Sequence, residues 1–122
     1  KRETNMSYEK AIYHVKEELQ KEGFGVLTEI DVKATLKKKL DVDYNKYIIL
    51  GACNPQFAYQ ALQGETDIGL LLPCNVIVYE KDNKTVISII KPSVAMQMVE
   101  NKELGKIARE VEKKLEWVIN QC

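Results

Sequence analysis

Apolar side chains recur along this chain in two rhythms, and the switches between them mark out its elements. Behind Ser7, a capping residue, Tyr8, Ile12, Val15 and Leu19 follow at steps of four, three and four, the stripe of an amphipathic helix. Gly23 ends it, since glycine adopts the left-handed conformation that closes a helix. Val26, Thr28 and Ile30 then alternate with Leu27 and Glu29, which predicts a strand with one more deeply buried face. Asp31 suits the cap of a two-turn helix over residues 32–40, where Val32, Leu36 and Leu40 share a stripe and the lysines point away from it.

Residues 47–52 are almost wholly apolar, the pattern of an interior, central strand covered on both faces. Asn54 and Pro55 combine a capping residue with the residue best tolerated at a first helical position, ahead of a stripe of Phe57, Ala58, Ala61 and Leu62 that Gly64 terminates. Two apolar runs, 70–72 and 76–79, are separated by Pro73, whose missing donor predicts a strand start or a bulge. Asp82 and Asn83 between two strand-like runs predict a hairpin turn, because both tolerate positive φ. Ser93 caps a short predicted helix to Val99. Asn101 caps a longer one with Leu104, Ile107, Ala108, Val111, Leu115 and Val118 on one face. With an edge strand at residues 2–4, strands interleaved with helices and ending in a hairpin predict one domain over 1–122. It is an α+β two-layer sandwich with a mixed or antiparallel sheet of about four to five strands.

Composition narrows the functional classes. At 122 residues, 45% apolar, the chain can build one core without staples, and no run approaches a membrane span of roughly 18 apolar residues. Eighteen basic residues balance eighteen acidic ones, so the general pull toward nucleic acid or an anionic membrane is missing, and neither a nucleic-acid partner nor membrane insertion is expected. Lys33, Lys37, Lys38 and Lys39 form a solvated helix face, or a rim that steers an acidic protein partner. The polar opening and three unpaired-looking cysteines lead to an expected cytoplasmic location, with a removed leader left open.

Cysteine supplies the candidate chemistry. Cys53 lies where an apolar strand gives way to a helix N-terminus, and free amides there would lower a thiol pKa. Cys74 and Asn75 repeat the pairing of Cys53 and Asn54 at the edge of the next apolar run, and whether the two thiols meet depends on strand direction. His14 stands alone, so a histidine-rich metal site and a serine triad are excluded, and no glycine pattern cradles phosphate. No cofactor and no metal is expected. Six tyrosines suit pocket rims or subunit interfaces, and Trp117 on the last helix packs on the sheet or against a second copy.

The strings GFGVLTEIDVKATLKKKL from Gly23, ILGACNPQFAYQAL and IGLLLPCNVIVYE resemble the domain-of-unknown-function 302 family over nearly the whole chain. The resemblance implies a compact α+β domain that forms homodimers. It singles out Cys53, Asn54, Cys74 and Asn75, in the segments Gly51 to Pro55 and Leu71 to Asn75, as the place for ligand contact or shared chemistry. It supplies no reaction. The expected function is therefore a non-catalytic, dimeric domain that binds a small molecule or a protein partner around Cys53, Asn54, Pro55, Cys74 and Asn75. The alternative is a thiol-dependent redox, sulfur-transfer or soft-metal protein using Cys53 and Cys74.

Overall fold

A computed structural model describes residues 1–92 and 102–122. In chain order the elements are β1 (Arg2–Thr4), α1 (Tyr8–Lys21), β2 (Gly25–Asp31), α2 (Val32–Leu40), β3 (Tyr47–Cys53), α3 (Pro55–Gly64), a 3₁₀ turn (Thr66–Leu71), β4 (Cys74–Lys81), β5 (Lys84–Ile89) and α4 (Lys102–Asn120). The strands form one antiparallel sheet in the order β1-β5-β4-β3-β2, an α+β architecture. The short helix predicted to begin at Ser93, and the Asn101 cap, lie outside the described residues.

Local chemistry accounts for the element ends. Ser7 accepts a hydrogen bond from the Lys10 amide at 3.2 Å to start α1, and Gly23, at φ 84°, takes the left-handed turn after it. Asp31 accepts from the Ala34 amide at 2.9 Å and starts α2 directly from the end of β2. Asp82 and Asn83, with φ of 53° and 63°, make the two-residue turn joining β4 to β5.

The core lies on one side of the sheet. Ala11, Val15 and Leu19 of α1, and Val111, Leu115 and Val118 of α4, pack against Leu50, Ala52, Val76, Val78 and Ile87. A second, smaller cluster of Ala61, Ile68 and Leu104 ties α3 and the 3₁₀ turn to the start of α4.

Four expectations change in detail. The central strand is β4, not β3, although β3 is interior as its apolar run predicted. Among the described residues, helical cover lies over one face of β3, where Leu50 and Ala52 are fully buried, while Tyr47 and Ile49 on the other face are half-buried. β2 is an edge strand with a bulge at Leu27, and only Val26 in it is half-buried. Residues 70–72 form no strand, because they belong to the 3₁₀ turn and its cap, and β4 begins at Cys74, directly after Pro73.

Candidate functional site

Antiparallel pairing of β3 with β4 brings the end of the first beside the start of the second, and both cysteine segments meet there. Ala52 pairs with Cys74 and Gly51 with Asn75. Cys53 is therefore one residue past the partner of Cys74, roughly 6 Å from it between Cα atoms on ordinary sheet spacings. Both border a cleft closed by Phe24, Ala52, Asn54, Leu72, three residues of α3 (Phe57, Ala58, Ala61) and three of α4 (Ile107, Ala108, Val111), with Pro92 at its margin. The space among these side chains, including the part open to solvent, is about 390 Å³.

Three segments far apart in sequence lock this corner. A Cβ on Gly51 would collide with Thr28 Oγ1 and stand 2.7 Å from Pro73 Cγ, so only glycine lets β2 and the Pro73 ring close over β3. Asn54, expected to cap α3, makes no side-chain cap bond. Its Nδ2 donates instead to the Glu22 carbonyl at 3.4 Å and lies 3.1 Å from where a Cβ on Gly23 would be. The residue thus ties the start of α3 to the end of α1, and Pro55 begins α3 without needing a donor partner.

The thiols depart from expectation in the direction of their shift. Burial pushes the Cys53 thiol above its ordinary pKa, where the helix N-terminus was expected to lower it. Cys74 is raised from 9.0 to about 11, first by burial and then by the neighbouring Cys53. Desolvation disfavours the thiolate, and it outweighs the amides at the start of α3. Cys122 is also raised, to about 11, chiefly by burial. It lies at the other end of α4, where its Sγ donates to the Val118 carbonyl at 3.3 Å. Cys53, Cys74 and Cys122 are all free of disulfides. Asn75, the last of the expected site residues, is exposed and lies outside the cleft's lining.

Among the described residues no group of three His, Cys, Asp or Glu side chains could hold a metal ion. His14 faces elsewhere, its Nε2 2.9 Å from the Gln121 carbonyl. Most of the cleft's apolar wall was missed as a site because Phe57, Ala58 and Val111 read as ordinary core stripe. Gly51 inside an apolar strand was the one available signal of close approach.

The family described as Domain of unknown function DUF302 matches over residues 1–122. The chain belongs to the DUF302 family. A crystal structure of an uncharacterised conserved DUF302 protein from Bacillus stearothermophilus superposes with a TM-score of 0.93 at 32% sequence identity, covering 99% of this chain and 94% of that one. No curated protein matches the chain. The DUF302 segments around Thr28, Gly51 to Pro55 and Pro73 to Cys74 are thus one corner of the fold, held by the Gly51 and Asn54 contacts. No helix among the described residues is long and apolar enough to cross a membrane.

Proposed function

We propose that this DUF302 domain is a non-catalytic homodimeric module that takes up a small apolar molecule in the cleft beside Cys53, Asn54 and Cys74. The observation behind this reading is the wall itself, in which Phe24, Phe57, Leu72, Ile107 and Val111 present hydrocarbon surface next to two thiols kept neutral by burial. Small-molecule sites are mostly apolar with few polar groups, as this wall is, and with a free interior of about 30 Å³ the molecule lies along the groove rather than in a closed cavity. Neutral thiols are weak nucleophiles, and the single histidine that could activate one is engaged with Gln121. Titration with the apolar fluorophore N-phenylnaphthylamine tests the reading. Saturable binding is expected, and Ala58→Phe, at a half-buried wall position, weakens it about tenfold or ~1.4 kcal/mol with the fold retained. Equal binding by the filled variant would remove the cleft from consideration.

One observation favours a second, thiol-based reading: the two cysteines border a single cleft and are close enough for Cys53 to raise the Cys74 pKa. Oxidised glutathione would accept the electrons as the Cys53 and Cys74 thiols join, releasing two molecules of reduced glutathione. The denatured mass then falls by about 2 Da, reversibly, in the unsubstituted chain but not in Cys53→Ser or Cys74→Ser. An unchanged mass eliminates the disulfide branch.

A further inference from the structure

Two soft ligands border one narrow space. The described lining of the cleft contains no carboxylate and no imidazole, and its one amide side chain, Asn54, is engaged with the Glu22 carbonyl. Its remaining heteroatoms on side chains are the sulfurs of Cys53 and Cys74. Hard cations need several oxygen ligands, and zinc and iron–sulfur centres need four ligands, so this wall serves neither class. A closed-shell monovalent ion of soft character is different, because thiolates select it and two sulfurs in line complete its coordination. Two metal–sulfur bonds of about 2.3 Å, the length of a zinc–thiolate bond, put such sulfurs roughly 4.6 Å apart. Side chains from neighbouring strands, with Cα atoms roughly 6 Å apart, can span that distance. The free interior of about 30 Å³ suits an ion, being about the volume of one water in the liquid.

We infer that Cys53 and Cys74 together form a two-coordinate site for copper(I). The inference rests on the thiol-based reading above in using the same two side chains, but it takes them reduced and unjoined. On binding, each thiol releases its proton to solvent, each sulfur forms one bond to the ion, and copper keeps its oxidation state, so no electron moves. Two thiolates on a monovalent cation leave one negative charge. The start of α3 lies beside it: no side chain caps this helix, so the first-turn amides of Gln56 and Phe57 place their partial positive charge next to Cys53. Hydrocarbon from Phe24, Phe57, Leu72 and Val111 limits access of water, whose oxygen is a poor ligand for so soft an ion. Cys122, at the other end of α4, lies outside this lining and serves as the internal comparison.

Competition with bicinchoninate for copper(I), under argon and with the full chain reduced beforehand, tests this. The unsubstituted chain is expected to withdraw one copper per chain. Cys53→Ser and Cys74→Ser should each bind it more than about 100-fold more weakly, beyond the loss that an outer partner of a metal ligand causes. Cys122→Ser should match the unsubstituted chain. No transfer of copper to the unsubstituted chain, an affinity no higher than that of the same chain unfolded in urea, full binding by either of the first two variants, or lost binding in Cys122→Ser overturns the inference. Should a serine variant fail to fold, alkylation of the unsubstituted chain by iodoacetamide decides: copper(I) must protect Cys53 and Cys74 together and leave the rate at Cys122 unchanged, and any other pattern overturns it. An unchanged mass with oxidised glutathione removes the disulfide reading and leaves this titration as it was, whereas lost copper binding with disulfide formation intact counts against the metal site alone.

Discussion

Leu50, Val76 and Val78 on one face of the sheet, and Ile49, Ile77 and Tyr79 on the other, are sequence neighbours of similar chemistry. The first three are fully buried beneath α1 and α4, and the second three are half-buried. What separates them is the cover each face receives. Strand alternation dictates which residues share a face, but a face becomes core only when another element supplies an apolar stripe to lie on it. α1 and α4 supply such stripes to the inner face, whereas α2, which contacts β2 and β3, buries none of its residues.

Substitutions can break that contrast. The largest effect is expected at Gly51, which faces outward yet has no room. Gly51→Val should cost more than about 4 kcal/mol, in the tail of single-substitution effects, because Thr28 and the Pro73 ring cannot both retreat. Denaturant melts would show this, and a near-native midpoint would mean the corner is loose. On the inner face, Leu115→Ala removes a fully buried side chain from α4 and should cost about 3 kcal/mol by the same melts.

A titration sharpens the contrast between the two thiols. Below pH 9 the Cys74 thiol is neutral in folded and unfolded chains alike. Between 9 and about 11 only the unfolded chain sheds the proton, so stability falls as pH rises, by up to about 2.7 kcal/mol in all. Cys74→Ala should flatten that decline, and Cys53→Ala, at a less buried thiol, should flatten it less. Equal slopes for both variants would contradict the difference in burial. The smallest effect belongs to the outer face: Ile30→Thr should shift the stability of a monomeric chain by no more than about 0.5 kcal/mol, since that side chain is half in water already.

The contrast also explains what could be read from the sequence. α1, α4 and the Asp82–Asn83 turn depend on local spacing and backbone preference, and each forms where the pattern put it. The edge strand at residues 2–4 and the antiparallel alternative for the sheet are present as well. Cover on both faces of β3 was not legible, because an apolar run is the same whether its second face meets a helix of its own chain or remains open. Asn54 has the residue type of a cap, but its Nδ2 donates to the Glu22 carbonyl at the end of α1, a partner 32 positions away that no local pattern reveals. The Cys53 shift was misread for a related reason. The helix N-terminus is visible in sequence, while the desolvation that outweighs it comes from distant residues such as Phe24 and Ala108.

His14 and Gln121, and Arg2 and the Asn120 carbonyl, hold the two extremities of the described chain together, at 2.9 and 3.5 Å. Pairing β1 with β5 belongs to the same closure. It gathers a loop of more than 80 residues, whose entropic cost grows with the logarithm of its length and must be met before β1 gains any contact. β1 is thus expected to join late in folding and leave early in unfolding. A short peptide bridge between the two extremities would remove much of that entropy from the unfolded chain and leave every native contact in place.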